Sequence, residues 1–188
     1  LGLKAHGWPD VGFITDNVGA GERWSTNLYS IFGEYQWNIN DQWTTFVGGR
    51  VDDHTYSDKM FSPRASLIYA PTDKDVYKLM WARSVRSNFE EEMRAASLNN
   101  QSDGKPEILD SVELRYERQH SEHLDLAASL FWHYNLELIS YSGSVGAAVP
   151  VGTQRNYGLE LEAYYHTEKT RLGISHGFTQ LYDFSLAP

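Results

Sequence analysis

Glu113, Arg115 and Glu117 follow one another at two-residue spacing, as do Glu160 and Glu162. In an extended chain, side chains two apart share a face, so each set puts ionisable groups side by side. Carboxylates paired in this way can divide the work of a general acid and a general base. They can equally line a hydrated wall whose opposite charges pair across neighbouring strands. Nothing marks one carboxylate as special, and the wall is the preferred reading. Of the histidines, only His120 and His123 lie close together, which fits a hydrated turn better than a metal pair. Ser129 and His133 share a strand face but stand roughly 13 Å apart at about 3.3 Å per residue, too far for direct proton transfer. Gly19, Gly21, Gly48 and Gly49 make no phosphate-binding fingerprint, because no helix follows them. The chain thus offers no catalytic residue, no metal site and no cofactor.

Another group stands in the irregular links between patterned stretches: Tyr56, Arg86, Arg94 and Tyr141. Arginine's planar fork donates two parallel bonds and suits carboxylates or phosphates. These four are the candidate ligand contacts, for an anionic or aromatic-rich small molecule.

The elements that must position them alternate strictly. Between Ser25 and Trp37, Asn27, Tyr29, Ile31, Gly33, Tyr35 and Trp37 oppose Ser30, Glu34 and Gln36. Trp43 to Val51 repeats the pattern after a turn at Asn38 to Asp41, which predicts a hairpin. Further strands set Phe61, Ala65, Leu67 and Tyr69 against Ser62, Arg64 and Ser66. Tyr77, Leu79 and Trp81 oppose Lys78, Ala82 and Ser84, and Val112, Leu114 and Tyr116 oppose Ser111, Glu113, Arg115 and Glu117. Leu124 to Tyr134, Tyr157 to Tyr165 and Leu172 to Phe178 complete about eight strands, with His176 the main breach of parity in the last. Charges fall almost wholly in one parity class, opposite the aromatic and aliphatic class. Short turns near 38–42, 71–75, 119–123 and 167–169 alternate with longer links near 53–60, 87–107 and 136–153.

That rhythm is expected of bacterial outer-membrane barrels, with short periplasmic turns and long extracellular loops. Ten residues at about 3.3 Å, tilted near 45°, cover roughly 23 Å, close to the apolar band of such a barrel. Tyr35, Trp37, Trp43, Tyr69, Tyr77, Tyr116 and Tyr165 beside the short turns would form one interfacial girdle. Phe61, Trp132, Tyr134, Tyr157 and Phe178 would form the other. A barrel also reconciles 14% aromatic residues with a mean hydropathy of -0.50, since only one face of each strand needs to be apolar. No stretch approaches the roughly 18 apolar residues of a membrane-spanning helix. The absence of Cys removes disulfide frameworks and thiolate chemistry, and a net charge of -9 disfavours a nucleic-acid partner.

Three runs then look familiar. Ser62-Pro63-Arg64 through Tyr69-Ala70-Pro71-Thr72-Asp73, with Lys78 and Ala82-Arg83-Ser84-Val85-Arg86, resembles a strand, turn and strand of TonB-dependent outer-membrane receptors. Lys105-Pro106-Glu107 with Ser111 to Glu117, and Asn156-Tyr157-Gly158-Leu159-Glu160-Leu161-Glu162-Ala163, resemble later segments of the same family's C-terminal barrel half, in the family's order over roughly 25–179. Ser87-Asn88 stands where many members have Ala-Pro, and Asn99-Asn100-Gln101-Ser102 where Asn-Pro-x-Leu is usual. These departures, and the lack of His in 87–107, argue against the haem-uptake branch.

The resemblance implies an all-β, antiparallel up-and-down transmembrane barrel wall, a piece of a barrel of about 22 strands. Residues 1–188 would then be one partial barrel domain, with 1–24 an extracellular loop, strands over 25–179, and the family's N-terminal plug and energy-coupling box outside the chain. It further implies uptake of a nutrient such as a metal chelate, coupling to the TonB complex through the missing N-terminal region, and outer-membrane lipid around the wall. Two other readings stay open on the residues alone: a self-contained eight-stranded barrel with a structural or adhesive role, and a soluble β-sandwich binding module.

Overall fold

The computed structural model describes residues 2–7, 25–87, 105–142 and 147–186. Those residues form nine strands and no helix: β1 (Gly2–Gly7), β2 (Ser25–Asn38), β3 (Trp43–His54), β4 (Ser57–Thr72), β5 (Asp75–Arg86), β6 (Glu107–Ser121), β7 (Leu124–Ser142), β8 (Ala147–His166) and β9 (Arg171–Leu186). Each strand pairs antiparallel with the next, in a single sheet ordered β1 to β9.

Four short turns set the register, and each is closed by a side-chain oxygen that replaces a backbone partner. Asn40 Oδ1 accepts from the amides of Gln42 and Trp43 at 2.9 and 3.0 Å. Thr72 Oγ1 accepts from Lys74 and Asp75, Ser121 Oγ from His123, and Thr167 Oγ1 from Lys169 and Thr170. With register so set, the apolar parity class lines up across the sheet. Leu67 pairs with Leu79, Leu79 with Leu114, Leu114 with Leu130, Leu130 with Leu159 and Leu159 with Phe178. This belt faces outward. On the other face a polar row runs from Lys78 through Arg115 and Ser129 to Glu160.

No second layer covers the belt. Met60 is the one hydrophobic residue that is buried among the described residues, while Ile31, Leu172 and Ile174 are 65%, 63% and 73% exposed. A soluble sandwich hides its apolar faces between two packed sheets. Here one sheet carries an uncovered apolar face, the arrangement of a wall whose apolar solvent is lipid. The soluble β-sandwich reading is therefore set aside.

Aromatic rings mark the lower edge of that face. Trp43 stacks on Tyr69 with centroids 4.3 Å apart, Tyr69 neighbours Tyr77 at 6.1 Å, and Tyr77 stacks on Tyr116 at 4.8 Å. The row follows the short turns, at the level where amphipathic rings meet headgroups. At the other edge, Trp81 Nε1 donates to Tyr134 Oη at 2.8 Å and Trp132 Nε1 to Tyr182 Oη at 2.6 Å.

Pairing reaches further than alternation suggests. The link expected over 53–60 is a hairpin closed by Thr55 and Tyr56 alone, and the irregular stretch expected over 136–153 carries β7 to Ser142 and restarts β8 at Ala147. Within 1–24, expected to be a loop, Gly2–Gly7 pairs with β2. Beyond the apolar band no lipid face imposes alternation, but unpaired backbone groups still gain by joining the neighbouring ladder. The strands therefore outrun their side-chain pattern. Of the expected link over 87–107, residues 88–104 lie outside the described residues.

Candidate ligand groove and inner-wall charge network

The outer halves of β2 to β5 curve around a groove of about 760 Å³ on the inner face. The groove sits here because even-numbered residues of these four strands point inward, and several of them are small or glycine. Glu34, Gly48 and Arg64 occupy one row across β2, β3 and β4. Glu34 Oε2 meets Arg64 Nη2 at 2.8 Å, spanning the strand between them. A methyl group on Gly48 would stand 3.2 Å from Glu34 Cβ and 2.8 Å from the Gly33 carbonyl oxygen, so this bridge depends on the glycine beneath it.

Further along the groove, Arg50 Nε donates to both oxygens of Asp52 at 2.8 Å, and its Nη2 donates to Ser30 Oγ at 3.0 Å. Ser30 in turn donates to Asp52. Arg86 pairs with Glu107, the residue opposite it on β6. Phe32, opposite Arg50, lies among these charges and is 71% exposed.

The four expected ligand contacts fare differently. Arg86 lines the groove. Tyr56 sits at the tip of the β3–β4 hairpin. Its amide donates to Nδ1 of the groove residue His54 at 3.2 Å, and the two rings meet edge on. Tyr141 pairs with Ala148 where β7 and β8 run past the band, and its side chain is outside the described residues, as is all of Arg94. The structure brings in Arg50, Asp52, Arg64 and Phe32, none of which was singled out as a ligand contact. Phe32 carried a usable signal, since it is an aromatic in the parity class otherwise holding Ser30, Glu34 and Gln36.

Nearer the short turns the inner wall holds a second network. Arg115 Nε binds Glu117 at 2.7 Å, Nη1 and Nη2 bind the two oxygens of Glu162 at 2.8 and 3.1 Å, and Nη1 donates to Ser129 Oγ at 3.0 Å. Lys78 completes it by binding Glu117 at 2.7 Å. Arg115 reaches from β6 to β8 over Ser129, which is 1% exposed, so a small residue again lies under the bridge. These carboxylates are spent on cations, as a charge-paired wall requires. Ser129 Oγ accepts from Arg115, and no hydrogen bond joins it to His133 on the same strand. His123 and His166 approach with centroids 6.3 Å apart, yet no group of three or more potential metal ligands assembles among the described residues.

The outward face also holds charge. Arg83 and Asp110 lie on the apolar parity class just past Trp81, and they are joined by two bonds of 2.7 and 2.9 Å. Asn135 donates to the same carboxylate at 3.2 Å.

The family described as "TonB dependent receptor-like, beta-barrel" matches residues 7–187, nearly the whole chain. The chain belongs to the TonB-dependent receptors. Solved structures agree on the fold. The FrpB iron transporter of Neisseria meningitidis (F3-3 variant) superposes with a TM-score of 0.64 at 20% identity, covering 86% of this chain and 27% of FrpB. The siderophore receptor PirA of Acinetobacter baumannii gives 0.61 at 17%, covering 89% and 29%. A mutant of the ferric enterobactin receptor PfeA of Pseudomonas aeruginosa gives 0.61 at 20%, covering 92% and 29%. This TonB-dependent receptor chain thus spans little more than a quarter of the length of the structures it matches. Among curated proteins, none matches in sequence. Membership places the wall in the bacterial outer membrane, as part of a receptor barrel. It also confirms the barrel wall read from the residues.

Proposed function

We propose that the whole receptor captures a scarce nutrient, a metal chelate, on its outer side and passes it through the barrel with energy from the inner-membrane TonB complex. The groove carries this reading: it is an inner-face cavity toward the extracellular ends of the strands, lined by oriented guanidinium groups and an exposed aromatic ring. Arg86 contacts the ligand there, joined by Tyr56 at the hairpin tip, and Arg94 and Tyr141 complete the proposed set of ligand contacts. Outer-membrane lipid packs on the leucine belt and its aromatic edges. The names of three similar structures, an iron transporter, a siderophore receptor and a ferric enterobactin receptor, support iron as the metal.

The test is uptake of radioactive iron chelates by iron-starved cells with the full-length gene deleted, then restored. Restored cells regain uptake of at least one chelate, and only while TonB is intact. Replacing Arg64 and Arg86 together by alanine weakens chelate binding about tenfold, the loss of one or two charge-assisted hydrogen bonds. Unchanged uptake in the deletion strain across neutral, anionic and cationic iron chelates would overturn the reading.

A further inference from the structure

Every arginine lining the groove, among the described residues, is met by a carboxylate. Arg50 has Asp52, Arg64 has Glu34 and Arg86 has Glu107 on the inner face, while Arg83 turns its side chain to Asp110 on the outward face. Arg86 and Glu107 are direct cross-strand partners, Arg50 and Asp52 stand two apart on β3, and Arg64 reaches Glu34 across β3. The groove therefore presents many donors and acceptors but no excess of positive charge.

We infer that this groove takes a metal chelate of near-zero net charge, of the ferric trihydroxamate class, in preference to a polyanionic chelate. The inference rests on the chelate-uptake reading above and names the substrate class within it. A triply negative tris-catecholate would give up its hydration to approach arginines already neutralised, with their carboxylates 2.7 to 2.8 Å away in the Arg50 and Arg64 pairs. A ferric trihydroxamate has spent its anionic charge on the metal. Its carbonyl oxygens accept from the guanidinium N–H groups that the carboxylates leave free, since each guanidinium has five donors. Arg50, Arg64 and Arg86 keep 48%, 64% and 75% of their side-chain surface exposed, so those donors are reachable. Amide or hydroxyl groups of the ligand donate to Asp52. Its aliphatic linkers lie on Phe32, Leu28 and Met60, the apolar part of the lining.

The experiment measures binding of two probes, a neutral ferric trihydroxamate and a triply negative ferric tris-catecholate, to the purified full-length receptor. The trihydroxamate is expected to bind at least about tenfold tighter. Raising salt from about 0.05 to about 0.5 M should change its affinity less than about twofold, because paired charges leave little field to screen. Replacing Glu34 and Glu107 by glutamine unmasks Arg64 and Arg86, and should improve tris-catecholate binding about tenfold while leaving the trihydroxamate within about threefold. Preference for the tris-catecholate by the unaltered receptor overturns the inference and leaves the chelate-uptake reading standing. Binding of neither probe, together with unchanged iron uptake in the deletion strain, overturns both.

Discussion

Gly158 offers the sharpest test of the packing on the inner wall. It lies on β8 opposite Phe131 of β7, whose ring covers the strand where the glycine has no side chain. A methyl group at Gly158 would stand 2.3 Å from Phe131 Cζ, 2.7 Å from its Cε1 and 2.4 Å from the Phe178 carbonyl oxygen of β9. The ring can turn aside, but the carbonyl belongs to the β8–β9 ladder and moves only if the ladder shifts. Gly33 on β2 is the internal control, because nothing lies within 4 Å of a methyl group there. Both alanine substitutions gain about 0.5–1 kcal/mol from reduced freedom of the unfolded chain. Gly158→Ala alone also meets an overpacking cost of about 1–3 kcal/mol, so the two variants should differ by about that cost. Urea unfolding of the full-length receptor in detergent, followed by tryptophan fluorescence, measures the difference. Adding Phe131→Ala to Gly158→Ala should restore only part of the loss, since the Phe178 carbonyl remains. Equal unfolding midpoints for Gly158→Ala and Gly33→Ala would refute the reasoning.

Two other perturbations probe the charges. Arg115→Ala leaves Glu162 without its two-pronged partner and Glu117 with Lys78 alone, and should cost about 1–3 kcal/mol in the same unfolding assay. Arg115→Lys should recover less than half of that, because an ammonium cannot bind Glu162 through two parallel bonds while also reaching Glu117; full recovery would show that only the charge matters. At the β4–β5 turn, the Tyr116 hydroxyl donating to Asp75 at 2.7 Å, helped by Thr72 and Arg118, holds the Asp75 carboxyl below the usual range. A depressed folded value means stabilisation that is complete above the unfolded value and lost as pH falls through the folded one. The stability gap between the unaltered receptor and Asp75→Asn should thus be constant above about pH 5 and shrink below about pH 4. A gap that widens on acidification would contradict this assignment.

What was legible in the chain follows from where lipid imposes order. Within the apolar band each residue must face either lipid or the interior, so Leu114 and Leu130 could be assigned outward, and Glu113 and Arg115 inward, from period two alone. Short turns fixed by Asn40, Thr72, Ser121 and Thr167 then left no freedom in register, and the leucine belt follows. Past the band the constraint disappears. Backbone pairing at Asp52 to Met60 or at Leu138 to Ser142 leaves no periodic mark on side chains, so strands there read as loops. Gly2–Gly7 pairs with β2 although its composition reads as turn, because the partner ladder and not local propensity decides a strand.

The candidate site was less legible for a related reason: ligand contacts were sought in the irregular links, whereas the groove lies on regular strands. Arg64 falls in the charged parity class by pattern alone, yet nothing in a linear pattern shows that Glu34 reaches Arg64 across Gly48, since that requires the register of three strands. The breaches of parity were the available signal. Phe32 puts an aromatic ring on the charged face, and Arg83 with Asp110 puts charge on the apolar one. A lone charge at the outer rim of a lipid face is disfavoured, and a lone ring inside a hydrated wall gains nothing from lipid. The charge on the apolar face is compensated within the fold, by the two bonds of the Arg83–Asp110 pair and by Asn135. The ring on the charged face has no such compensation, as Phe32 stays 71% exposed beside the groove arginines. A breach closed by its own neighbours is structural, and one left open points to a molecule that arrives later. By that criterion Phe32 is the residue through which the ligand's apolar surface should be sought.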